Sequence, residues 1–212
     1  MPTIKSVVIS CAGIGSRLGL GQTKALVKIN GRSLISWQLE LFKEVPDVRV
    51  VVGFQANDVI EEVLKYRKDV IFVFNHRYFE TNTGASFYLG ARHAYDYVLE
   101  WDGDLLVHPD DVKMILDTEG EFICYGDISS ENTVFVKTDS EGRVLSFSRK
   151  EGDYEWTGPA CMARMNIHYS SQHVFNMLEP YLPMKGIKVR AYDIDTYDDY
   201  IRVCELVKDW KL

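Results

Sequence analysis

The stretch that most constrains this chain is residues 4–28, where a run of β-branched residues breaks into a glycine-rich loop. Val7, Val8 and Ile9 have the stiff side chains of a buried strand, and Gly13, Gly15, Gly19 and Gly21 follow within twelve positions of Ile9. Clustered glycines let backbone N–H groups surround an anion with no Cβ in the way, and Arg17 and Lys24 add two cations beside them. A tight strand-to-helix connection would also use glycine, but it gives those two cations no packing purpose. The loop is expected to hold phosphate.

Two common phosphate loops do not fit. A dinucleotide fingerprint needs a third glycine where Leu18 stands, and a P-loop needs glycine directly before the lysine, where Thr23 stands. The run Ala12-Gly13-Ile14-Gly15-Ser16-Arg17-Leu18, with Lys24-Ala25-Leu26 after it, instead resembles the A-G-x-G-x-R-L and P-K-x-L signature of nucleotidyltransferases of the MobA-like and sugar-phosphate type. Thr23 replaces the usual proline and alters the stiffness of the loop. The resemblance implies a Rossmann-like three-layer α/β/α sandwich with a mixed, mainly parallel sheet, of the GT-A-like kind. It also implies catalytic roles for Arg17 and Lys24 and nucleotide contacts from Ala12, Gly13, Gly15 and Ser16.

A length of 212 residues fits one domain, with residues 1–120 expected as its nucleotide-binding half and 121–212 as the half that binds the acceptor and completes a metal site. The formal charge of −7, with no basic run to reverse it locally, argues against nucleic acid as a partner. Cys11, Cys124, Cys161 and Cys204 are too scattered for a zinc site and are expected as reduced thiols. No signal-like leader and no apolar run long enough for a membrane span stand in the sequence, so a cytoplasmic protein without membrane contact is expected. A homodimer stays open as an assembly.

Along the first half, Asn30-Gly31 marks a turn, Ser33 is placed to cap a helix reaching Glu44, and Val48–Gly53 reads as a strand. Asn57 is expected to cap the next helix, Val70–Phe74 forms a third strand, and a helix is expected over 85–95. Alternation of strands and helices implies parallel pairing with right-handed crossovers. Ligands bind at the carboxyl edge of such sheets, so Asn82, Thr83 and Ser86, just after the third strand, are candidates for reading a base or ribose; Thr83 or Ser86 would equally serve as helix caps. The strand Tyr97–Trp101 ends in Asp102-Gly103-Asp104. Carboxylates at the end of a buried strand need a compensating cation, and hard oxygen ligands suit Mg²⁺ bound with phosphates. The resemblance makes Asp104 a metal ligand, while Asp102 is left between metal, ribose, substrate and a turn-stabilising role.

From residue 121 to 167 the pattern turns β-rich, with strands at 122–125, 133–138 and 144–148 and a hairpin turn at 139–142. The resemblance places the acceptor pocket here, with Lys150 near its phosphate, although Arg149 and Lys150 would equally serve as two solvated surface cations. The segment 153–160 reads as a loop whose Glu155 and Trp156 would hold an ammonium-bearing or hydroxylated acceptor, or would only flank the core. A helix from Ser170 and a strand over 188–192 precede Asp195-Thr196-Tyr197-Asp198-Asp199, which resembles the family's Asp-Thr-x-x-Asp element. Thr196 caps the last helix in this reading, and Asp195 joins Asp104 on Mg²⁺ or serves only as a cap.

The parts suggest an acceptor phosphate or phosphonate attacking the α-phosphorus of a nucleoside triphosphate. CTP is the first choice, because the polar stretch at Asn82 and the aromatic segment at Trp156 resemble small cytidylyltransferases that activate phosphocholine or aminoethylphosphonate. A sugar-1-phosphate enzyme using UTP, dTTP or GTP is the alternative, and a nucleotide-binding regulator without turnover is the second.

Overall fold

A computed structural model describes residues 4–15, 21–129 and 133–210. The glycine loop grows from strand β1 (Lys5–Cys11), which lies in the middle of a nine-stranded sheet. After the loop come a hairpin of two short strands, β2 (Lys28–Ile29) and β3 (Arg32–Ser33), helix α1 (Leu34–Leu41), strand β4 (Asp47–Val52), helix α2 (Ala56–Tyr66), strand β5 (Ile71–Phe74), helix α3 (Thr83–Ala91) and strand β6 (Tyr97–Asp102). Strands β5, β4, β1 and β6 lie side by side in parallel.

The chain then makes β7 (Leu105–Val107), α4 (Pro109–Asp117), β8 (Phe122–Gly126), β9 (Phe135–Thr138), β10 (Val144–Ser148) and the ten-residue β11 (Tyr154–Ala163). Helix α5 (Val174–Leu178), β12 (Lys185–Lys188), β13 (Ala191–Asp193) and α6 (Tyr197–Leu206) complete it. Strand β11 pairs antiparallel with β6, and beyond it the sheet forks into β8–β12 on one path and the β9–β10 hairpin on the other. The β-rich character expected for 121–167 is realised by β8 to β11.

Alternation along the central strands decides what each face covers. Val7 and Ile9 of β1 and Val48, Val50 and Val52 of β4 pack with Ile35 and Leu39 of α1, Val59 and Val63 of α2 and Ile115 of α4. Val8, Val51 and Val98 point the other way and meet Phe87 of α3 and Val174 and Leu178 of α5. The sheet therefore carries helices on both faces, as expected. A third cluster joins Val27 and Ile29, Leu34 and Trp37, Leu106, Ile194, and Val203 of α6. It fastens the end of the glycine loop, the segment after Asp104 and the segment before Asp195 to one another.

Several local expectations change. Helix α1 ends at Leu41, and Ser33 stands at its N-cap position without a side-chain capping bond. Gln55, in the left-handed region at φ 50, stands at the N-cap position of α2 in place of Asn57 and makes no side-chain capping bond. Helix α3 begins at Thr83 with Asn82 at its N-cap position, neither Thr83 nor Ser86 serves as the cap, and His93 at φ 60 lies beyond its end at Ala91. Helix α5 begins at Val174, not Ser170. The 153–160 segment is strand, not loop: its Gly and Pro are absorbed by an irregularity between Trp156 and Ala160, where Gly158 takes φ 99. The strand expected over 188–192 is divided between two sheets, because Asp111 takes the backbone N–H and the guanidinium of Arg190 at the corner.

Helix α3 sits so close to β1 that a Cβ on Gly90 would come 2.4 Å from Val8 Cγ1. Gly90→Ala is therefore expected to destabilise the fold by about 1–3 kcal/mol despite the higher helix propensity of alanine, measured by urea unfolding. A variant as stable as wild type would show that the helix can move away freely.

Candidate active site

The carboxyl ends of β1 and β6 open into a cavity of about 410 Å³, and Lys24 stands beside it. Gly15 takes φ +68, and a Cβ there would lie 3.1 Å from Lys24 Cγ, so the loop returns onto the lysine only with glycine at this position. Thr23 has φ −61 and ψ 142, dihedrals that proline also adopts. Unlike proline it has an N–H, which donates to Gln55 Oε1 at 2.8 Å. The departure from the family signature thus keeps the backbone conformation and adds a hydrogen bond to the start of α2.

The Asp102-Gly103-Asp104 turn is pressed against the end of β1. Gly103 N–H donates to the Ser10 carbonyl at 3.0 Å, and a Cβ on Gly103 would lie 2.6 Å from that oxygen. From α1, the fully buried Gln38 amide donates to the carbonyls of Asp102 and Leu105 at 2.9 and 2.7 Å and holds the turn from below. On the other side, Ile194 N–H donates to the Asp104 carbonyl at 3.2 Å. Thr196 and Asp199 form a capping box at the start of α6, which leaves Asp195 to turn inward.

The result is one ammonium between two carboxylates. Lys24 Nζ donates to Asp104 Oδ2 at 2.7 Å and also to Asp195 Oδ1. Burial would lower the ammonium's pKa, but the two carboxylates outweigh it and raise it. The surrounding charge is strongly acidic. Burial, with Asp104 beside it, pushes the Asp102 carboxyl up to about 7, and the same causes raise Asp193 well above its ordinary range. Beneath them Glu100, fully buried in β6, is also raised well above 4.5 by burial and by Asp102.

The far wall comes from the β5–α3 connection. Asn75, Asn82 and Ser86 all line the cavity, and Ser86 Oγ accepts from Asn75 Nδ2 at 3.1 Å. The opposite wall comes from β10, β11 and α5. Glu155 and Trp156 line it with Arg149, His173 and Phe175, and the Arg149 guanidinium lies 5.3 Å over the Phe175 ring. Glu155 accepts the Ser129 N–H at 2.6 Å.

Residues 7–156 match the model of the MobA-like NTP transferase domain. The chain belongs to that family. The choline-phosphate cytidylyltransferase of Streptococcus pneumoniae is 27% identical over 237 aligned residues, covering 95% of this chain and 98% of the relative. Among solved structures, the CTP:phosphocholine cytidylyltransferase LicC of Streptococcus pneumoniae superposes with a TM-score of 0.74 at 22% identity, covering 98% of this chain and all of the other. The inositol-1-phosphate CTP transferase from T. maritima reaches 0.79 at 16% identity, with both chains covered in full. These structures share the fold of this nucleotidyltransferase chain.

The cavity gathers Ala12, Gly13, Gly15, Lys24, Asn82, Ser86, Asp102, Asp104, Glu155, Trp156 and Asp195 from the sequence-predicted set. Ser16 and Arg17 lie outside the described residues. Lys150 does not line the cavity: it is exposed in the turn after β10, where its N–H donates to Ser148 Oγ, and its neighbour Arg149 lines the wall. The Ala12 carbonyl is engaged by Phe54 N–H at 3.1 Å. Gln38, Asn75, His173 and Phe175 were missed by sequence reading. A glutamine inside the otherwise apolar face of α1 was the signal for the first; the others needed the fold.

Two outcomes are expected. Glu100 keeps its proton in the fold to a higher pH than in the unfolded chain, so its burial lowers stability progressively as pH rises above 4.5 toward the raised folded value. Glu100→Gln should therefore gain on wild type between pH 5 and 8, by up to about 1.4 kcal/mol per pH unit in denaturant titrations, and a constant difference would count against it. In the loop, Gln55→Ala should cost about 0.5–1.5 kcal/mol in wild type but little in Thr23→Pro, which has no amide hydrogen to lose; equal costs in a double-mutant cycle would dismiss the Thr23–Gln55 bond.

Proposed function

We propose that the protein is a cytidylyltransferase that joins CTP to a small phosphate or phosphonate acceptor and releases pyrophosphate. The observation that carries the reading is Lys24 held between Asp104 and Asp195 at the floor of a cavity with the glycine loop on one side and polar and aromatic walls on the others. The base is assigned to the Asn82 and Ser86 wall, the triphosphate to Gly13, Gly15, Arg17 and Lys24, and Asp102 to the nucleotide. Full-length similarity to a choline-phosphate cytidylyltransferase supports CTP and a non-sugar acceptor.

The donor set suits Mg²⁺. Asp104 and Asp195 offer hard carboxylate oxygens near enough to share one ammonium, the donor type that Mg²⁺ takes together with substrate phosphates. These two carboxylates would hold the ion, which would supply charge neutralisation at the phosphates. The chain's own residues have little covalent work. An acceptor oxygen forms a bond to the α-phosphorus while the bond to the bridging oxygen of pyrophosphate breaks, so catalysis reduces to aligning two anions and offsetting their repulsion. Lys24 and Arg17 supply positive charge on the donor side. On the acceptor side Arg149 faces the phosphate in place of Lys150, and Trp156 and Glu155 suit an ammonium-bearing tail by ring and carboxylate contacts.

Pyrophosphate release with each of the four NTPs, Mg²⁺ and a panel of phosphocholine, aminoethylphosphonate and sugar 1-phosphates tests this. Release with CTP and a non-sugar phosphate is expected, with Asp104→Asn lowering kcat/KM by about 100-fold or more, a loss far larger than its effect on stability at the assay temperature accounts for. Release only from UTP, dTTP or GTP with a sugar 1-phosphate would replace the reading, and tight NTP binding with no release would indicate a regulator.

A further inference from the structure

Asn75 is 3% exposed at the end of β5, and every polar atom of its side chain is engaged. Its Oδ1 accepts the Arg77 N–H at 3.0 Å. A backbone N–H can only donate, so this bond fixes which end of the amide is oxygen and which is nitrogen. The amide nitrogen then has two hydrogens to give. One goes to Thr81 Oγ1 and the other to Ser86 Oγ, both at 3.1 Å. Thr81 spends its own hydrogen on the Arg77 carbonyl at 2.9 Å. Ser86 is different: it is 5% exposed, lines the cavity, and among the described residues its hydroxyl is bonded only to Asn75. It accepts from Asn75, and its own proton remains to be given to whatever enters the cavity.

We infer that Asn75 is a positioning residue that sets base preference, by holding the Ser86 hydroxyl so that it donates to the base and thereby favours cytosine over uracil. The inference rests on the cytidylyl reading above. Cytosine carries an acceptor at N3 where uracil carries N–H, and a donor at position 4 where uracil carries an acceptor, so a hydroxyl with a proton to give matches the N3 edge of one base and opposes that of the other. A ligand that donated to Ser86 instead would leave the buried hydroxyl hydrogen without an acceptor, which is the costly arrangement.

The polarity can be reversed with one atom. In Asn75→Asp the carboxylate still accepts from Arg77 N–H but has no hydrogen to give, so Ser86 must donate to it and turn lone pairs toward the cavity. Calorimetric titration of the full chain with CTP and with UTP, each with Mg²⁺, gives the ratio of Kd values. Wild type is expected to bind CTP more tightly, and Asn75→Asp to reduce that preference at least tenfold. Asn75→Ala, which frees the hydroxyl to turn either way, should reduce it to the level of Ser86→Ala, and it serves as the test if the aspartate variant does not fold. In the Ser86→Ala background the aspartate should leave the ratio unmoved. A merely structural role for Asn75 would weaken both nucleotides equally, and that result, with wild type preferring CTP, would overturn the inference while leaving the cytidylyl reading standing. Wild type binding UTP as tightly as CTP would overturn both.

Discussion

The candidate site is organised by the ammonium of Lys24 lying between Asp104 and Asp195. A buried ammonium without partners is costly, and two neighbouring carboxylates repel, so the lysine and the two acids stabilise one another there. The three come from positions 80 and 171 residues apart in sequence. What brings them together is apolar: the third hydrophobic cluster joins Val27, Leu106 and Ile194, each within three residues of one of the charges. The polar site inherits its alignment from a small core of its own.

The rest of the sheet divides the work by strand direction. Parallel strands β5, β4, β1 and β6 end together at one edge, where the glycine loop, the Asp-Gly-Asp turn and the Asn75–Ser86 pair all emerge. Antiparallel β11 then returns across β6 and carries Glu155 and Trp156 to the same cavity from the opposite side. The irregularity at Gly158 serves this arrangement. A Cβ there would come 3.0 Å from Asp102 Oδ2, so the strand passes close beside the acidic turn.

Much of this was legible in the sequence because it rests on short-range rules. Val7–Ile9 breaking into glycines, Asp-Gly-Asp after a strand, and Thr196 three residues before Asp199 are local patterns, and each keeps its expected form. Where sequence reading failed, a tertiary contact had overruled the local pattern. Residues 153–160 looked like a loop from their acids, Gly and Pro, yet pairing on both sides makes them strand. Arg190 interrupts an apparently continuous strand because Asp111, far away in sequence, captures it. Arg149 and Lys150 are equivalent on paper, and only the course of the chain after β10 puts the first on the wall. The hydrogen-bond direction at Ser86 depends on the backbone N–H of Arg77, which no composition rule reveals.

The attachment of α6 decides how Asp195 is held against Lys24. Lys24 and Asp104 are anchored beside the central parallel strands, whereas Asp195 comes from the segment that leads into α6. Bringing Asp195 home closes a 171-residue loop and depends on a few apolar side chains around Ile194 and Val203. A segment held by so few contacts can detach at a fraction of the free energy that melts the sheet. Local opening at this end would therefore separate Asp195 from Lys24 while the central sheet stays folded.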